Sequence, residues 1–295
     1  MTDQQTWTIG RLLTWTTDYL RNHGSDSPRL DAEVLLAHAR GCQRIELYTA
    51  FDEEAGEEVR VAFREMVRRR AEAAPVAYLV GGKEFFSLHF RVSEDVLIPR
   101  PETELLVVSL LDKAKALSST AETLHIADVG TGSGVLAVCA AKHLPSAQVK
   151  AIDISPAALE IARKNANLHN VNDRIEFIEG DLLTALPAEP AFDFIVSNPP
   201  YIGDGEFDAL PDDVRLHEPR IALTSGPTGT EIIEQLIPQA AERLKPGGWL
   251  MIEISPIIAT AVQQLFANGP RFETAAIVKD HAQHPRVITA RRAAD

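Results

Sequence analysis

Two short runs in this chain carry residue types whose spacing suits chemistry: Asp128-Val129-Gly130-Thr131-Gly132-Ser133-Gly134 and Asn198-Pro199-Pro200-Tyr201. Glycines at alternate positions permit a tight turn and let the backbone approach a ligand closely. Residue 135 is Val, so the Gly-x-Gly-x-x-Gly dinucleotide pattern is not met, and no Lys follows in the P-loop manner. Asp128, just ahead of the loop, would repel an anionic pyrophosphate and attract a sulfonium cofactor with a free ammonium group. In the second run, two prolines remove two N–H donors and leave carbonyls to face a ligand. The Asn198 side-chain oxygen and the Pro199 carbonyl can accept both hydrogens of one NH₂ group. An amide nitrogen is a poor nucleophile because its lone pair is delocalised. Holding both N–H bonds aims that nitrogen at a methyl carbon and favours the pyramidal transition state. Tyr201 offers a flat apolar surface to a planar amide or base. No general base is needed before attack, since the nitrogen turns acidic only as it takes the methyl. The plainer alternatives are a rigid turn with Asn198 as a cap, and helix-capping aspartates around a glycine turn. Together the two runs predict methyl transfer from S-adenosylmethionine, leaving S-adenosylhomocysteine, with no metal.

These runs need strands to present them. Strand patterns fall at His125–Val129, Val149–Ile154, Arg174–Glu179, Phe192–Ser197, Trp249–Ile254, Phe272–Lys279 and Arg286–Ala290. Helical patterns fit between most of them, at Glu102–Leu117, Val135–His143, Pro156–His169 and Thr230–Leu244. Such alternation predicts an α/β fold, a Rossmann-like doubly wound sheet, with the last two strands an antiparallel pair at one edge. The second strand ends in Asp153, where a carboxylate can accept both ribose hydroxyls. The third ends in Gly180-Asp181-Leu182, where Asp181 can accept from the adenine amine and Leu182 can pack on the ring. The stretch 202–229, rich in Pro, Gly and Asp, reads as a long functional lid.

Ahead of the sheet, residues 1–74 read as a small helical bundle with apolar stripes from Ile9 to Leu20, around Leu30 to His38, and from Val59 to Val67. Arg68-Arg69-Arg70 reads as the solvated face of the last helix. A β-hairpin over 75–98, turning at Gly81-Gly82, joins this bundle to a catalytic domain over 99–295. The formal net charge of −13 counts against a duplex nucleic-acid partner, which favours a basic surface. Two distant cysteines, Cys42 and Cys139, argue against disulfides and structural zinc and for a reducing compartment. No secretory leader pattern opens the chain, and its apolar runs fall short of the roughly 20 residues a bilayer span takes. A cytoplasmic monomer is expected.

Asp128–Gly134 with Asn198–Tyr201 resembles the class I methyltransferases that modify exocyclic or amide nitrogens. Leu97-Ile98-Pro99-Arg100-Pro101-Glu102-Thr103-Glu104 narrows this, resembling the peptide chain release factor glutamine methyltransferases. Pro75–Gly82 with Glu84-Phe85 is similar to that family's linker hairpin, and Asp280 with His284-Pro285-Arg286-Val287 to its C-terminal strand. The resemblance implies methylation of the glutamine nitrogen in the Gly-Gly-Gln loop of bacterial class I release factors, with the helical bundle docking the substrate protein. It implies cofactor contacts from Gly130–Gly134, Asp153 and Asn198, a glutamine held by Asn198–Tyr201, and a site entrance organised by Arg100 and Glu102. Glu253-Ile254-Ser255 departs from the Glu-His-Gly of some members, leaving that strand end without a role. The alternatives are glutamine methylation of a ribosomal protein, adenine-N6 methylation of nucleic acid, and a non-catalytic cofactor-fold scaffold.

Overall fold

The computed structural model describes residues 6–117, 123–269 and 271–294. They fall into two compact units: Met1–Gly82 with Pro211–His217, and Lys83–Leu210 with Glu218–Asp295.

Seven strands make the main sheet of the second unit: β1 (Leu124–Val129), β2 (Ala147–Asp153), β3 (Ile175–Glu179), β4 (Phe192–Ser197), β5 (Leu244–Glu253), β6 (Ala276–Lys279) and β7 (Pro285–Arg291). Their order is β6-β7-β5-β4-β1-β2-β3. The run from β5 to β3 is parallel, while β7 lies antiparallel to both β5 and β6, so the final pair closes one edge as expected. Strand residues alternate between two cores because side chains project to opposite faces with period two. Phe194 and Val196 join the core of helices Glu104–Leu117 and Val135–His143, whereas Ile195 joins that of helices Glu231–Arg243 and Ala259–Asn268. Burial on both faces explains why β4 reads as a nearly continuous apolar run.

The order reverses between β1 and β4, the switch point where open α/β sheets bind ligands. Register then aligns the strand ends. Val129 sits opposite both Ile152 and Ser197, and Asp153 opposite Glu179. Gly130, Asp153, Gly180 and Asn198 therefore leave the sheet along one edge.

Several expectations change. Tyr78-Leu79-Val80 is not a strand: Val76–Leu79 is a helical turn, and the hairpin pairs Gly82–Phe85 with Leu88–Arg91. Its turn lies at Phe86-Ser87, both at positive φ (49° and 58°), the signature of a primed turn without the usual glycine. The Phe86 N–H donates to Glu104 Oε1 at 2.9 Å, and its ring packs edge-on against His143. These contacts hold a conformation that Gly81-Gly82 would have reached more cheaply. Helix Ala259–Asn268 was not foreseen; Val262 and Phe266 anchor it. Phe272–Ala275 does not extend β6, since Phe272 makes only an isolated bridge to Arg292. Nor is 202–229 a plain loop. Ile202–Gly203 pairs in parallel with Thr224–Gly226, and short helices fill Asp204–Ala209, Asp212–Arg215 and Arg220–Ala222.

In the first unit the three expected helices occur as Ile9–Asn22, Pro28–Arg40 and Glu57–Ala71, packed around Leu13, Leu35, Leu36 and Phe63. Thr8 caps the first through its hydroxyl, which accepts from the Arg11 N–H. Arg70 is not solvated. Its guanidinium donates to Asp31 at 2.8 Å, with the two side chains only 13% and 11% exposed, and so ties the second and third helices together. Arg68 lies on the exposed face with Glu65 and Glu72.

Candidate active site

A cleft of about 370 Å³ opens at the switch point. Gly130–Ser133, Asp153, Asp181, Leu182, Asn198 and Pro200 line it, with Thr103 and the 95–99 stretch on another side.

The loop's three glycines all take left-handed φ values of 70°, 55° and 81°. At Gly130 and Gly132 an added Cβ would meet nothing within 4 Å, so their faces lie open. Gly134 is different: its Cβ would stand 3.0 Å from the Ala162 methyl, so it lets the loop pack against helix Pro156–Leu168. The Gly130 and Thr131 N–H groups both donate to the Ile152 carbonyl, tying β1's end to β2.

Asp128 is fully buried and is not part of the cleft wall. Its Oδ2 accepts from the Thr131 hydroxyl at 2.6 Å and the Ala137 N–H at 3.0 Å, so it acts beneath the loop; Oδ1 has no hydrogen-bond partner. Burial pushes its pKa up to about 7, against the two hydrogen bonds. Asp153 does face the cleft. Its Oδ2 accepts from the Gly132 N–H at 2.8 Å and its Oδ1 from the Ser155 N–H at 2.9 Å, with lone pairs to spare. Burial raises its pKa as well, with backbone donors working the other way. Asp181 is exposed, and Leu182 sits at positive φ (50°) with the next N–H held by Gln239.

Asn198 leaves β4 beside this loop, and Ser197 anchors the strand end by donating to the Val129 carbonyl at 2.7 Å. The Asn198 Nδ2 donates to the Thr103 hydroxyl oxygen at 3.1 Å, which leaves the amide oxygen as the end that can accept from a substrate. Tyr201 is half-buried, and its hydroxyl donates to Glu253 Oε1 at 3.4 Å. Burial raises the phenol's pKa, so it stays a donor. Arg100 donates to Glu218 at 2.5 Å, and Glu218 Oε2 also accepts from the Ile98 N–H. Glu102 faces Arg286 at 3.8 Å, and Arg286 is held by Asp280 at 2.8 Å.

The structure thus gathers the glycine loop, Asp153, Leu182, Asn198 and Pro200 around one cleft. It sets Tyr201 beside Glu253 and places Arg100 and Glu102 in ion pairs. Thr103, Glu218, Glu253 and Arg286 were missing from the candidate residues. Thr103, Glu253 and Arg286 stood inside quoted motifs; Glu218 carried no local signal. The residues present fit a sulfonium cofactor. Bare loop faces admit a ligand, and Asp153 offers acceptors in the cleft; Asp128 Oδ1 lies buried beneath the loop without a hydrogen-bond partner.

The chain is similar to known proteins along its length. A PrmC N-terminal domain model matches residues 11–81, and a methyltransferase small domain model matches residues 102–210. A release factor glutamine methyltransferase of Rhodopirellula baltica is 52% identical over 97% of each chain. Those of Geobacter sulfurreducens and Bacillus subtilis are 41% and 36% identical, over 89% of each chain, and over 96% of this chain and 97% of the relative. Among solved structures, a methyltransferase from Pyrococcus furiosus (TM-score 0.50, 18% identity, 72% of this chain and 92% of that one) shares the fold. So does the N-terminal domain of human METTL16 in complex with SAH (TM-score 0.52, 16% identity, 77% and 84%).

Proposed function

The chain belongs to the release factor glutamine methyltransferases, and on that premise we propose that in its cleft the side-chain nitrogen of the glutamine in a release factor's Gly-Gly-Gln loop takes the methyl group of S-adenosylmethionine, the sulfur–methyl bond breaking to leave S-adenosylhomocysteine and the nitrogen then giving up one proton to solvent. The observation that carries this reading is the Asn198 amide, fixed by Thr103 so that its oxygen is the end left to accept.

When bound, S-adenosylmethionine supplies an electrophilic methyl group. The chain's own residues do the rest. Gly130, Gly132 and Ser133 would form the floor for the cofactor, Asp153 would take its ribose hydroxyls, and Asp181 with Leu182 would border its base. Asp128 fixes the loop through Thr131 and Ala137 and adds negative charge close behind it. Asn198 and the Pro199 carbonyl accept both N–H groups of the glutamine amide, turning its lone pair from the carbonyl toward the methyl group. Tyr201 walls the amide on one side. Arg100 and Glu102, held by Glu218 and Arg286, shape the entrance. The helical unit matched by the PrmC N-terminal domain model docks the substrate protein. The setting implied is the cytoplasm; among the described residues, no helix is long and apolar enough to cross a membrane.

The experiment offers three acceptors in parallel: a release factor, the ribosomal protein glutamine substrate and an adenine-containing oligonucleotide. Transfer to the release factor at least about 100-fold faster than to the others, a gap of ~2.7 kcal/mol in barrier, is expected. Comparable or faster transfer to either other acceptor overturns the assignment.

A further inference from the structure

Ser133 stands near the end of the glycine loop with a carbonyl that the following helix does not use. A helix continued back to this residue would give it the Ala137 N–H. That N–H goes instead to Asp128 Oδ2 at 3.0 Å. A buried carbonyl without a donor costs free energy. Here the donor comes from helix Pro156–Leu168, whose Asn165 Nδ2 donates to the Ser133 oxygen at 2.8 Å.

Asn165 is fully buried, and its amide makes two further bonds, both to Arg91 at the end of hairpin strand Leu88–Arg91. Its Oδ1 accepts from the Arg91 N–H at 2.7 Å, and its Nδ2 donates to the Arg91 carbonyl at 3.0 Å. A backbone N–H only donates and a carbonyl only accepts, so these three main-chain groups dictate the amide's orientation. Reversed, it would set its oxygen against two carbonyls. Four residues on, the His169 Nε2 donates to the His89 carbonyl at 2.8 Å, and its ring packs on Phe90. Residues 165 and 169 share a helix face, and residues 89 and 91 turn their backbone groups to one side of their strand. Ala162, a turn before Asn165, is the residue against which Gly134 packs. One helix thus holds both the hairpin's edge and the end of the glycine loop, and Asn165 is the side chain bonded to both.

We propose that Asn165 is a positioning residue for the cofactor. Through the Ser133 carbonyl it sets the floor of the cleft. Through Arg91, which does not line the cleft, it makes the hairpin strand a supporting part of the S-adenosylmethionine site. Coupling of this kind is reciprocal. A cofactor that stiffens the loop holds Ser133 and Asn165, and so slows opening at Arg91. A loosened Asn165 frees the loop and weakens the cofactor. This role rests on the function proposed above only in that the cleft holds S-adenosylmethionine; which amide is methylated does not enter.

Hydrogen exchange on the wild-type chain, with and without S-adenosylhomocysteine, reads the coupling directly. The Arg91 amide should exchange at least about fivefold more slowly with the ligand bound. The His125 amide, held by Asp193 near the start of β1, should change by less than about twofold. Asn165→Ala should weaken S-adenosylhomocysteine about tenfold, and Asn165→Asp about 100-fold, because a carboxylate sets oxygen against both carbonyls. At saturating cofactor kcat should stay within about threefold of wild type, and KM for the release factor within about twofold. Val262→Ala opens a cavity in the core under helix Ala259–Asn268, away from the loop. It should lower the unfolding midpoint yet leave the ligand affinity within about twofold. An Arg91 amide indifferent to bound ligand, an unchanged affinity in both Asn165 variants, or an equal loss in Val262→Ala would overturn the proposal. The exchange result decides alone if an Asn165 variant fails to fold. Binding with an indifferent Arg91 amide sinks only the role of Asn165, whereas wild type failing to bind S-adenosylhomocysteine would sink the cleft assignment and this role with it.

Discussion

Asp128 sits sealed beneath the glycine loop, and its charge state links the loop to pH. Its folded pKa of about 7 lies above the ordinary 3.8 because burial penalises the charged form. Between those values the folded chain keeps a proton that the unfolded chain has released. Stability from this group is therefore full at low pH and is lost as pH rises through about 7. Cofactor binding runs the other way, since an ammonium group favours the ionised carboxylate. Titration calorimetry should show S-adenosylmethionine affinity falling about tenfold from about pH 8 to about pH 6, following the loss of the ionised fraction. Asp128→Asn should remove that dependence and raise the unfolding midpoint above pH 7. A flat affinity profile in wild type would mean that Asp128 carries no charge relevant to the cofactor.

The short elements after Asn198-Pro199-Pro200-Tyr201 keep the tetrapeptide in place. Ile202–Gly203 and Thr224–Gly226 pair just beyond it, and Gly229 comes so close that a Cβ would stand 2.6 Å from the Tyr201 carbonyl oxygen, at a φ of 81°. Gly229→Ala adds a left-handed alanine, at roughly 1 kcal/mol, to a clash with backbone that cannot yield. It should lower the unfolding midpoint by several degrees and cut methyl transfer more than tenfold while cofactor affinity holds, because Tyr201 shifts and the glycine loop does not. Unaltered transfer would detach this segment from the site. Much of this level was legible in the chain. The glycine loop, Asp153 and Asn198 announced themselves because each follows a short apolar strand, and register then had little freedom in placing them side by side. Glu253 was not legible as a partner of Tyr201. That contact comes from β5 lying beside β4, which no local pattern records. The same holds for Thr103 as the anchor of Asn198, 95 residues away, and for Glu218 under Arg100. The hairpin turn was misplaced because Phe86-Ser87 borrows its conformation from Glu104 and His143, whereas glycines advertise turns that the fold does not always use.

At the scale of the whole chain, a net charge of −13 suits a partner recognised by shape and by one inserted side chain better than one gripped through phosphates. The division of labour follows the two units: one matched by the PrmC N-terminal domain model and proposed to dock the substrate, one carrying the sheet, the cleft and the amide-holding tetrapeptide. Relatives that run the length of this chain keep the two together. Methyl transfer here depends above all on Asn198 presenting a glutamine nitrogen to the methyl group. The most direct test is a peptide mass map of a purified release factor after incubation with this protein and S-adenosylmethionine. A single added methyl is expected on the glutamine of the Gly-Gly-Gln loop, absent with Asn198→Ala although that variant still binds S-adenosylhomocysteine. A methyl on any other residue, or an equal yield from Asn198→Ala, would contradict it.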